Sequence, residues 1–215
     1  QGLIAPNYPA TTLTLNGHTL TLNLNAGKSF WICNTSSSEP GTVHVKSGVA
    51  HFHRNAVNLP NVDFVIDGAQ AIFRQPGSSQ ANPTVVKSVT LTNGGSSEEG
   101  QNCTKMQDLN ILGSGTVGLQ SHVKWVYVAD TVLVSNETGN VFIYPPLNAN
   151  GTYPKIVKKG AGTFTIANNY TDQRIDRGVE IFGGTVVMSS SRTSGMVEHR
   201  AISSQPVPVT THHTG

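Results

Sequence analysis

At 215 residues the chain is long enough for one substantial core. Only 12% of it is Asp, Glu, Lys or Arg, and the formal net charge is +2 with the basic residues dispersed, which argues against a nucleic-acid partner. No apolar run is long enough to cross a bilayer as a helix, so no membrane span is expected.

In chain order, residues 1–12 read as an extended N-terminal arm containing Pro6 and Pro9. "TTLTLNGHTLTLNLNAG" then alternates: Leu13 and Leu15 face one way, Thr12 and Thr14 the other, and Leu20, Leu22 and Leu24 repeat the arrangement. Asn16-Gly17 suits a hairpin or a bend between successive rungs. "KSFWIC" follows, then "TVHVKSGVAHFHRNAV" with two alternating runs around Ser47-Gly48, then "NVDFVIDGAQAIF" with Val62, Phe64 and Ile66 on one face before Asp67-Gly68. "TVVKSVTLTNGG", "LNILGSGTVGL", "HVKWVYVADTVLVS", "GNVFIYPP", "PKIVKKGAGTFTIANN" and "VEIFGGTVVMSSS" continue the pattern of short β runs ended by Gly or Asn. "TKMQDLNI" is the nearest approach to a helix and is too short and mixed to be one. Residues 13–202 therefore read as a single all-β domain, and 203–215 as an extended or flexible tail. The runs are irregularly spaced and define no strict repeat. Two architectures accommodate them: a parallel β-helix, in which short strands stack coil on coil, or a β-sandwich with Greek-key connections.

Five N-x-S/T sequons, at Asn34, Asn102, Asn136, Asn150 and Asn169, point to glycosylation and to a secreted, extracellular or cell-surface protein in its mature form. Cys33 and Cys103 are the two cysteines, so a disulfide has one connectivity. Closing that loop would constrain the unfolded chain by roughly 4 kcal/mol.

"TLTLNGHTLTLNLNAG", "GAGTFTIANN" and "GVEIFGGTVVMSSS" resemble the strand-turn repeats of autotransporter passenger domains, and "NVDFVIDGAQAIF" is similar to segments of the pectin-lyase-like superfamily. The resemblance implies a right-handed parallel β-helix used for adhesion, extended display or polysaccharide processing.

Catalysis has two candidate settings. Asp63 and Asp67 share a strand face but lie about 13 Å apart in an unbroken strand, too far for a hydrolytic carboxylate pair. A lyase could draw on His44, Lys46, His51, His53 and Arg54 if Gly48 folds their faces together. His51 and His53 alone make no zinc site, so neither a metal nor a cofactor is assigned. Trp125, Tyr127, Phe142 and Tyr144, with His51, His53 and Arg54, are the candidate carbohydrate contacts, provided the rings are exposed. The expectation is an extracellular structural or adhesive protein, self-associating or meeting a cell-surface protein or polysaccharide. A polysaccharide-active lyase or hydrolase is the alternative, and a carbohydrate-binding module the third.

Overall fold

The structure, a computed structural model, describes residues 11–25, 27–33, 35–53, 57–74, 84–99, 104–117, 126–143, 154–168, 177–190 and 209–212. Every strand pairing among them is parallel. That removes the β-sandwich and the hairpin, both of which require antiparallel neighbours.

The chain winds as a right-handed β-solenoid whose successive coils contribute strands to each of two sheets. The first coil contains β1 (Thr11–Thr12), β2 (Thr19–Asn23) and β3 (Ser29–Cys33), and β4 (Thr35–Ser36) opens the second, followed by β5 (Gly41–Ser47) and β6 (Val49–His53). Then come β7 (Asn58–Asp67) and β8 (Gln70–Arg74), β9 (Thr84–Thr92) and β10 (Gly95–Glu99), β11 (Thr104–Leu112) and β12 (Gly115–Val117). The last coils are β13 (Val126–Ser135) with β14 (Asn140–Ile143), β15 (Lys155–Lys159) with β16 (Thr163–Asn168), and β17 (Val179–Ile181) with β18 (Thr185–Ser190). β19 (Val209–His212) adds a final strand beside β18. The first sheet runs β1-β4-β7-β9-β11-β13-β15-β17, with β2 and β5 continuing it beside β7, and the second runs from β3 through β6 and β8 to β18 and β19.

Alternation dictates what each coil buries. In the first sheet Val43, Phe64, Val89, Leu109, Val132, Ile156 and Val179 stack in register and face inward. Each fully buried aliphatic side chain contributes about 1.5–3 kcal/mol. From the opposite wall Phe52 and Phe73 meet Phe64, with Phe52 and Phe64 edge to face at 4.8 Å between ring centroids. A single short strand could not bury these faces; the coil above and the coil below do it.

The turn from first to second sheet is tight. One residue, Gly48 at φ +74°, separates β5 from β6, a conformation that L side chains rarely adopt. Asn93-Gly94 and Asp67-Gly68 occupy the same corner in other coils. Midway along the first sheet the alternation skips: Lys87 with Ser88, and Gln107 with Asp108, are successive outward residues, and the ladder shifts register there. These stacked bulges bend the wall of the solenoid.

Thr11–Thr12, assigned to the arm, pair with β4, and Val209–His212, within the expected tail, pair with β18. Both stretches are short and Thr-rich, and a neighbouring coil supplies the ladder that local sequence does not announce.

Candidate functional site

The outer face of the first sheet carries most of the polar side chains that the described structure brings together. Register aligns Thr42, Asp63, Ser88, Asp108, Thr131 and Lys155 in one row. A second row holds Thr21, His44, Val65, Thr90, Asn110, Leu133, Val157 and Glu180. Inter-strand steps of about 4.8 Å let neighbours on a row bond directly. Asp63 accepts from Ser88 Oγ at 2.6 Å and from Lys87 Nζ at 2.8 Å. Asp67 accepts from Asn93 Nδ2 at 2.6 Å and Thr92 Oγ1 at 3.1 Å, with His44 Nε2 at 3.4 Å. The bonds from Asn93 and Thr92, assisted by His44, hold the Asp67 carboxyl below its ordinary range.

Asp108 is shifted the other way. Desolvation, then repulsion from Asp130 and Asp63, raises its carboxyl above the usual value, although the Thr131 backbone N–H donates to it. Asp130 in turn pairs with Arg177 at 3.1 Å, and that guanidinium also donates to Ala129 O. Asp63 and Asp108 stand two ladder steps apart, roughly 9–10 Å between backbones.

Among the described residues, His44 and His51 are not brought together. Gly48 turns the chain from one sheet to the other, so His44 lies on the outer face of the first sheet and His51 on the outer face of the second, with Val45, Ala50 and Phe52 buried between them. The His53 side chain and all of Arg54 lie outside the described residues. Among the described residues no group of three or more His, Cys, Asp or Glu side chains could hold a metal ion.

Of the four candidate aromatic contacts, two lie among the described residues. Tyr127 is 4% exposed, with the Lys105 ammonium 5.7 Å from its ring centroid. Phe142 is half-buried, and Trp125 and Tyr144 fall outside the described residues. Among the described residues the exposed aromatics are Phe30, Trp31 and Phe182, with Trp31 stacked on His51 at 4.0 Å.

Two polar residues sit in the core near a corner. Asn136 is 1% exposed, and its Nδ2 donates to the carbonyls of Thr138, Gly139 and Thr163. A glycan on that nitrogen would have to displace these bonds; Asn34, Asn102, Asn150 and Asn169 lie outside the described residues. Lys158 occupies an inward column between Val134 and Ile181 and is 0% exposed. Its Nζ donates to the carbonyls of Lys159 at 2.6 Å, Gly160 at 2.7 Å and Gly183 at 3.3 Å. Burial lowers the Lys158 pKa, with partial compensation from Glu137. The signal for Lys158 was its shared parity with Ile156 in "KIVKKG".

Cys103 and the Cys33 side chain lie outside the described residues.

No family model matches this chain. Comparison with curated proteins and with solved structures finds no match either. The parallel solenoid agrees with the architecture implied by the passenger-domain and pectin-lyase-like resemblance, but the fold is not specific to either group.

Proposed function

We propose that the chain is a structural or adhesive solenoid displayed outside the cell, with the outer face of its first sheet as the contact surface. The observation that carries this reading is the set of bonds across successive coils on that face, from Ser88 to Asp63, from Asn110 to Thr90 and from Thr92 to Asp67, with Lys155 paired to Glu180. These contacts fix the side chains of the face that make them, beside the apolar Val65, Leu133 and Val157 of the second row. The face offers hydroxyls, amides and both signs of charge over an extended surface, as contact with a polysaccharide or a cell-surface protein requires. The sequons outside the described residues support the extracellular part of the reading.

Beads coated with the purified chain test this under flow, over surfaces bearing neutral or acidic polysaccharide and over an immobilised matrix protein. Retention that falls at least tenfold in a Thr90→Lys/Asn110→Lys variant is the expected result. Equal retention of the variant would remove the contact role of this face.

One observation favours a second reading, polysaccharide hydrolysis. The spacing of Asp63 and Asp108 approaches that of an acid and base flanking a water, and desolvation with repulsion from Asp130 and Asp63 shifts the Asp108 carboxyl upward, the direction that suits a general acid. Release of reducing ends from the same polysaccharides, abolished by Asp108→Asn, would transfer the assignment to an enzyme.

A further inference from the structure

Two Asn-Gly pairs among the described residues adopt nearly the same backbone. Asn16 has φ +49° and Gly17 φ +80°; Asn93 has φ +51° and Gly94 φ +81°. Both asparagines are exposed. In each pair the glycine N–H donates to a carbonyl of the next coil, Gly17 to Pro40 O at 2.8 Å and Gly94 to Ser114 O at 3.0 Å.

The side chains part company. Asn93 Nδ2 donates to Asp67 Oδ1 at 2.6 Å, and Thr92 Oγ1 donates to the same oxygen at 3.1 Å. These bonds hold the Asp67 carboxyl below its ordinary range, so the acceptor is ionised at neutral pH. The Asn16 amide makes no bond to a described residue. The space differs as well. Among the described residues a Cβ at Gly17 would meet nothing within 4 Å, whereas one at Gly94 would meet Ser114 Oγ at 3.8 Å.

Asparagine before glycine has a chemistry of its own. With no Cβ in the way, the glycine nitrogen can reach the amide carbon of the preceding side chain. The nitrogen attacks Cγ as it loses its proton, and the new N–C bond closes a succinimide ring. The Cγ–Nδ2 bond breaks, and ammonia carries that proton away. Water then opens the ring at either carbonyl, leaving aspartate or isoaspartate.

We propose that Asn16 is a site of spontaneous modification in the folded chain, converting to aspartate and isoaspartate, and that Asp67 guards Asn93 against the same reaction. In both pairs the glycine N–H must leave its carbonyl and the amide must swing round to meet the nitrogen. At Asn16 only the first movement breaks a bond; at Asn93 the second breaks the bond to Asp67 as well. A hydrogen bond to an ionised acceptor that has to open first slows Asn93 by roughly tenfold or more. Conversion at Asn16 adds a negative charge two residues before His18, whose carbonyl accepts from the Thr42 N–H at 3.1 Å, and isoaspartate lengthens the backbone there by one atom.

Peptide mapping by mass spectrometry, with fragmentation that separates aspartate from isoaspartate, tests this on the full chain held in mildly alkaline buffer with and without urea. In urea the two sites are expected to convert at similar rates, since glycine follows both. In the folded chain Asn16 is expected to convert roughly tenfold or more faster than Asn93. Asp67→Ala, which removes the acceptor, is expected to quicken Asn93 and leave Asn16 unchanged, and Asp67→Asn, which keeps the shape and loses the charge, to give an intermediate rate. Equal rates at the two sites of the folded wild type, or no conversion of Asn16 outside urea, would overturn the proposal. So would an Asn93 rate that neither variant changes. Quickening of both sites alike would mark a general loosening of the fold and overturn the guarding role of Asp67. Circular dichroism that matches wild type establishes that each variant is folded.

Discussion

Replacing Lys158 with Met keeps the length of the side chain and removes its charge and donors. Three carbonyl acceptors then lose the ammonium, where a hydrogen bond to a charged group is worth about 1.5–3 kcal/mol and an orphaned acceptor costs about 1–3 kcal/mol. Against this, Met avoids desolvating a charge, which costs several kcal/mol. With Gly183 O distant at 3.3 Å, the balance is a destabilisation of about 2 kcal/mol at neutral pH. The pH dependence is the sharper consequence. Lys158 has a folded pKa below the ordinary lysine value of 10.5, so between those two values the unfolded chain binds more protons than the native one. Native stability therefore rises with pH through that window, by about 1.4 kcal/mol for each unit of depression. Urea unfolding of both proteins at pH 7 and pH 10 measures this. The wild type is expected to gain relative to Lys158→Met, so the gap between them widens. Parallel pH profiles would refute the assignment of a desolvated ammonium in the core.

Phe64→Ala removes the ring that meets Phe52 and Phe73 across the two sheets, and is expected to cost about 4 kcal/mol in chemical denaturation. Hydrogen exchange should quicken first in β5 to β8, because each coil is stabilised chiefly by its neighbours. Peptide mapping of protein made in a secretory host is expected to show Asn136 unmodified, and Asn136→Ala to lower stability by about 2 kcal/mol through loss of its three Nδ2 bonds. A glycan at that position in folded protein would contradict the packing.

Much of the fold was legible because alternation reports burial directly. Val62, Phe64 and Ile66 were expected on one face, and all three are buried. Pairing direction was not legible, since Asp67-Gly68 or Gly183-Gly184 serves a solenoid corner as well as a hairpin, and the choice is made by strands roughly a coil away in sequence. The absent period has a physical cause: coils lengthen from 20 to 25 residues without disturbing the stacked columns. His44 and His51 illustrate the limit for sites. They are close in sequence, but a single corner residue sends them to different outer faces. Asp108 was missed because it gains its neighbours Asp63 and Asp130 only through register. Asn136 matched a surface motif, and nothing local distinguishes a sequon on a loop from one whose amide closes a corner.

The parallel register along the display face is best tested by a distance between spin labels on the second row, at Thr21→Cys and Val157→Cys in a Cys33→Ser/Cys103→Ser background. Six ladder steps separate these positions, through His44, Val65, Thr90, Asn110 and Leu133. At about 4.8 Å a step the backbones lie roughly 29 Å apart. Pulsed dipolar spectroscopy is expected to give one narrow distribution near that separation, widened by the label arms. A mean below about 20 Å, or no defined maximum, would contradict the stacked parallel solenoid and the face built on it.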